Sequence, residues 1–178
     1  VMNINDGPMA AFTAAVEQAA GGGDLSRGFF AHTLGTDLGS GWVRADGSIP
    51  EMPLEVYNLV MDLGSAGKRN YDAGDVRSIR STNTGLPGAL QRCASQAGVF
   101  RLAAERLPGE APALWQELLN RGLFRREGGI LAVPTAPEDM RKPCLEFLMD
   151  RAARGEPACE EIFRTVGEYL AVTWRETE

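Results

Sequence analysis

Gly35-Thr36-Asp37-Leu38-Gly39-Ser40-Gly41 separates two runs that read as strands, 28–34 and 40–45, and its reading decides the fold. Three glycines between strands let backbone N–H groups come close to an anion, and Thr36 and Ser40 add hydroxyl donors, so the segment reads as an anion-cradling hairpin. A plain hairpin that needs glycine for positive φ is the competing reading. The run that follows is a strand and not a long helix, which excludes the dinucleotide-binding fingerprint.

Working outward, residues 1–5 read as a strand end, and Asp6-Gly7-Pro8 opens a helix because Asp caps and Pro is tolerated in a first turn. The alanine-rich stretch carries that helix to Ala20, and Gly21-Gly22-Gly23 ends it. After the hairpin, Ala45-Asp46-Gly47 makes a turn and 54–63 supplies a third strand, giving a three-stranded antiparallel meander. Residues 64–86, rich in Gly, Asn, Asp, Ser and Arg, read as a long irregular connection of the kind that usually has a function or is mobile. Pro87 then starts a helix whose apolar positions Leu90, Ala94, Ala97, Val99, Phe100, Ala103 and Leu107 keep near-helical spacing until Pro108-Gly109 stops it. Helices are expected at 111–121, 138–153 and 157–176, with a short hairpin around Leu123 to Val133. The fold class is therefore α/β, a meander packed with several helices. At 178 residues it suits one domain, 1–178, able to bury about 70% of its unfolded surface.

Composition removes several functions. A formal net charge of −6 disfavours nucleic acid and anionic lipid, which need a basic surface. No apolar run is long enough to span a bilayer, so no membrane partner is expected. Cys93, Cys144 and Cys159 are odd in number and widely spaced, which fits reduced thiols and a cytoplasmic location. His32, the only histidine, reads as a hydrogen-bonded sheet residue, so a Ser-His-Asp or Cys-His enzyme is not expected. No metal-ligand spacing is present. Val1 is followed at once by a strand pattern with no signal core, and the start reads as a cut.

Asn5-Asp6 stands where a strand ends and a helix begins. A carboxylate there can take a proton from a hydroxyl nucleophile, with Asn5 holding a polar substrate; a helix cap is the alternative. Strand-Asn5-Asp6-helix, followed some thirty residues later by the 35–41 segment, resembles the ROK (repressor, ORF, kinase) sugar kinases and the wider hexokinase group. Pro87-Gly88-Ala89-Leu90-Gln91-Arg92-Cys93-Ala94-Ser95 is similar to the family's Gly-Cys-Leu-Glu-x-x-x-Ser helix start, and the Cys159 to Leu170 helix to the one before its adenosine motif.

The resemblance implies an actin-like, ribonuclease-H-like lobe of an ATP-dependent sugar kinase. Asp6 is then the catalytic base and Asn5 a sugar contact. Gly35, Thr36, Asp37, Gly39, Ser40 and Gly41 meet ATP phosphates, with Mg²⁺ arriving on the nucleotide. Leu54-Glu55-Val56-Tyr57-Asn58 falls where the family has Gly-Glu-Ile-Gly-His, which makes Glu55 and, more weakly, Asn58 sugar ligands, with Glu51 as the runner-up carboxylate. The family's cysteine-rich zinc motif is absent, so no zinc is expected, and Asp37 replaces a loop glycine. By the same resemblance a first phosphate loop precedes Val1 and an adenosine motif follows Glu178. This chain alone is then expected to be inactive, and to self-associate through a bare sheet edge at Gly28 to Leu34. The alternative is a non-catalytic sugar-sensing or scaffold module that kept the fold.

Overall fold

The computed structural model describes residues 6–35, 38–51, 54–61, 71–81 and 83–176, with side chains to residue 173. Among them the chain is mixed α/β, with six α-helices and two small antiparallel sheets, and it divides into two compact units, 1–59 and 60–178.

In the first unit, α1 (Asp6–Ala20) lies across a hairpin of β1 (Phe29–Leu34) and β2 (Leu38–Val43). The glycines end α1 as expected. Gly22 takes φ +79°, its amide donates to Ala19 O at 3.0 Å, and the Gly23 amide donates to Gln18 O at 2.9 Å. This double closure satisfies carbonyls the helix would otherwise leave open. Phe29 pairs with Val43, His32 with Ser40 and Leu34 with Leu38, so the connection is only 35–37. Alternation then turns Phe29, Ala31, Gly39, Gly41 and Val43 towards α1. The small core of Ala11, Ala15 and Val43, with Leu25, Phe29, Ala31 and Ile49 packed on it, sits between the helix and that face. The turn at 45–47 forms as expected, with Gly47 at φ +81° and Asp46 Oδ1 accepting the Ser48 amide.

Two expectations need correction here. Strand β2 begins at Leu38 and not at residue 40, so Gly39, Ser40 and Gly41 belong to the strand. The described part of 54–63 is not a third strand paired to the hairpin: Val56–Asn58 is a 3₁₀ turn beside β2, and Val60 makes a lone bridge to Ala89.

The second unit is helical around a core of Leu90, Leu102, Leu107, Leu118, Leu148 and Ile162, all nearly inaccessible. Full burial of each such side chain is worth about 2 kcal/mol. The helices are α2 (Leu90–Ala94), α3 (Gln96–Glu110), α4 (Pro112–Asn120), α5 (Arg141–Ala153) and α6 (Pro157–Glu176). The hairpin β3 (Arg125–Glu127) and β4 (Ile130–Ala132) follows α4. Phe124, 1% exposed, meets Phe100 edge-on at 6.2 Å and Trp115 at 5.0 Å, tying the hairpin entry to α3 and α4. Glu117 on α4 binds Arg151 on α5 at 2.6 Å, and both Arg121 and Arg151 lie over Phe147.

The expected helix from Pro87 is two helices. Ser95 is extended (φ −93°, ψ −176°), ends α2 and caps α3, its Oγ accepting the Ala97 amide at 3.1 Å. Pro108 and Gly109 fall within the last turn of α3 and do not stop it.

Candidate functional site

The candidate residues that the structure describes all lie in the first unit, where α1 and the 3₁₀ turn both border β2. Asp6 is the first residue of α1 and is exposed; its Oδ1 accepts the Gly7 amide at 2.8 Å. One carboxylate oxygen is therefore engaged with the helix start, as a cap would be. Asn5, Thr36 and Asp37 lie outside the described residues. Gly35 is exposed at the turn.

Gly39 and Gly41 are required for space, but the neighbour is the protein itself. A Cβ on Gly41 would stand 2.4 Å from Gly7 O and 2.7 Å from both Pro8 Cα and Ala11 Cβ. On Gly7 it would stand 2.6 Å from Ser40 O, and on Gly39 2.3 Å from Thr33 Oγ1 and 3.5 Å from Gly7 Cα. Real Cβ atoms do not come as close as 2.3–2.7 Å, so the N-terminal turn of α1 fills the space beside Gly41 and the Thr33 side chain fills the space beside Gly39. The hollow expected to admit a phosphate at Gly39 and Gly41 is filled on this face by the protein's own atoms. Positive φ plays no part, since none of the three is in the left-handed region.

Ser40 is buried at 5% exposure, and its Oγ is hydrogen-bonded to His32 Nδ1 at 2.8 Å across the strand pair. The hydroxyl expected as a phosphate donor thus meets the histidine that the sequence reading had placed in the sheet. Burial pushes the imidazole below its ordinary value, against a smaller opposing pull from the Gly39 backbone. Phe30 packs edge-on against the same ring, with centroids 4.8 Å apart. The His32–Ser40 pairing follows from the register once β2 starts at Leu38, which the sequence reading placed two residues late.

Glu55 is exposed and precedes the 3₁₀ turn; its Oε2 accepts Asn58 Nδ2 at 3.2 Å. Asn58 Oδ1 is buried and has no hydrogen-bond partner among the described residues. Such an acceptor carries a desolvation cost unless a donor reaches it. Glu51, the other carboxylate considered, is exposed.

The 64–86 connection holds polar chemistry that the sequence reading did not place. Arg92, 7% exposed, donates from Nε and Nη2 to Ser78 O at 2.9 and 2.7 Å and from Nη2 to Val76 O at 3.0 Å. Ser81 Oγ donates to Gln91 Oε1 at 2.9 Å. A run of backbone without regular structure is pinned to α2 in this way, its carbonyls satisfied by buried side chains. The signal was the pair Gln91-Arg92 at the start of an apolar helix, where buried polar residues imply partners.

Among the described residues no three His, Cys, Asp or Glu side chains gather as a metal site would need, and no helix is long and apolar enough to cross a membrane. Cys93, Cys144 and Cys159 are buried and form no disulfide among the described residues; burial pushes Cys144 up to about 12 and, with Glu156, Cys159 up to about 11. No family model matches the sequence, and no curated protein matches it either.

Proposed function

We propose that the chain is a ribonuclease-H-like lobe of an ATP-dependent sugar kinase, with Asp6 as general base, Asn5, Glu55 and Asn58 as sugar contacts, and Gly35, Thr36 and Asp37 as phosphate contacts. The observation that carries the reading is the buried, unpartnered Asn58 Oδ1 beside Glu55, in the unit that also holds the start of α1. A sugar hydroxyl is both donor and acceptor, and suits an amide oxygen without a donor next to a carboxylate without an ion pair among the described residues. Asp6 would deprotonate the attacking hydroxyl, and catalysis would rest on positioning and charge stabilisation. ATP with Mg²⁺ would supply the phosphoryl group. Of the residues first assigned to its phosphates, the exposed Gly35 and its turn fit best, since Ser40 and the glycines of β2 are already packed. Buried free thiols agree with a cytoplasmic setting.

A second reading, a sugar-binding module without catalysis, is favoured by the hydrogen bond that already engages Asp6 Oδ1. Calorimetry with a panel of hexoses, followed by a coupled phosphorylation assay of the parent protein, separates the two. The kinase reading expects saturable sugar binding and a loss of turnover of about a hundredfold or more in Asp6→Asn. Binding without turnover selects the module, and no binding by any sugar removes both.

A further inference from the structure

We propose that Gly7 and Gly41 are positioning residues: they interlock the backbone of α1 with that of β2 and so fix Asp6 relative to β2. The inference deepens the assignment of Asp6 as base and rests on it for its functional meaning. Its geometry stands apart from that assignment. Gly7 is buried against the Ser40 backbone, and Gly41 faces Gly7 O, Pro8 Cα and Ala11 Cβ at 2.4–2.7 Å from where a Cβ would be. Asp6 is the residue next to this crossing, held to it by the bond from the Gly7 amide. Any change that lifts Gly7 from Ser40 therefore moves the carboxylate.

Gly39 and Gly41 are not equivalent, and that makes the idea testable. At Gly41 the obstacles are Gly7 O, Pro8 Cα and Ala11 Cβ, none of which can turn aside without the helix moving. At Gly39 the obstacle is Thr33 Oγ1, a side-chain atom; once that is removed, the nearest atoms are Gly7 Cα at 3.5 Å and Thr33 Cβ at 3.7 Å, ordinary contacts. Steric logic thus separates two glycines that lie two residues apart on the same strand.

The experiment follows the Asp6 carboxyl resonance by carbon-detected NMR in the full chain, in Gly41→Ala and in the double variant Thr33→Ala/Gly39→Ala. The interlock expects Gly41→Ala to shift the Asp6 resonance and the amides of the first α1 turn, and the double variant to leave Asp6 in place. If Gly41→Ala does not fold while the double variant does, the crossing is equally intolerant of a Cβ at 41, which supports the interlock. An unmoved Asp6 in folded Gly41→Ala, or an Asp6 shifted as far in the double variant, overturns it. Titration of the unaltered chain with a hexose and MgATP reports on the kinase reading separately. Absence of binding there sinks the base assignment and leaves the resonances to judge the interlock.

Discussion

The Asp75 carboxylate accepts the backbone amide of Leu131 at 3.0 Å, across 56 positions of sequence, and the Val76 amide returns a bond to Leu131 O at 2.7 Å. Arg77 completes the knot, donating to Asp75 from its amide at 2.9 Å, from Nε at 2.8 Å and from Nη2 at 2.7 Å, while its guanidinium lies over Tyr71. Burial by itself would raise this carboxyl; the Arg77 side chain and the Leu131 and Arg77 amides outweigh it and hold it at about 2.

Asp75→Ala leaves the Leu131 amide and Arg77 without their partner inside the second unit, and should destabilise it by about 3 kcal/mol. The sign of the pH effect follows from a folded pKa below the ordinary 3.8. The stabilisation is fully present above about pH 4, and falls away towards about pH 2, amounting to about 2 kcal/mol. Urea titrations at pH 6, 4 and 3 should show wild type losing this increment and Asp75→Ala lacking it. Parallel pH profiles for the two proteins would rule the knot out as the source.

At the junction of α2 and α3, Ser95→Ala removes the side-chain cap on the Ala97 amide and should cost about 1 kcal/mol. Gly98→Ala should cost more, because its Cβ would fall 2.4 Å from Cys93 O, backbone that the tight junction holds in place. Denaturant midpoints give the order; a milder effect for Gly98→Ala than for Ser95→Ala would mean that the junction yields.

This junction also shows what periodicity can and cannot report. Leu90, Ala94, Ala97 and Phe100 keep helical spacing straight through the extended Ser95, and α2 is buried on every side, so the apolar pattern carries no trace of the break. The helices after Ala111 were legible to within about three residues, since Pro112 and Pro157 mark their starts and their apolar stripes are undisturbed. The hairpin was legible from its glycines, yet their role was not. A glycine that admits a phosphate and one that admits a helix backbone look alike in sequence, and only the packing of α1 on β2, which sets Gly41 against Gly7 O, tells them apart.

His32 should make the first unit sensitive to mild acid. Its pKa is depressed in the folded chain, mainly by burial, so the unfolded chain binds the extra proton more readily. Stability contributed by the neutral ring is whole well above pH 6.5 and is lost progressively as pH falls below it. Unfolding followed through Trp42 fluorescence at pH 7.5 and 5.5 should show this loss in wild type and not in His32→Gln. Equal losses in both proteins would assign the acid sensitivity elsewhere.

The last prediction concerns the edge of the first sheet. Among the described residues β1 pairs only with β2, so its outer side presents N–H and C=O groups with no strand beside them. The strand ends on Leu34, 55% exposed, which places an exposed apolar side chain at the end of this unpaired edge. Such an edge is a template for a second chain, and a charge on it is the usual remedy. We therefore expect the isolated chain to self-associate with rising concentration in sedimentation velocity. Leu34→Lys should return it towards monomer with little effect on folding, because that side chain is already mostly in water. A chain that stays monomeric at high concentration removes the edge argument, while association that Leu34→Lys leaves unchanged places the contact on another surface.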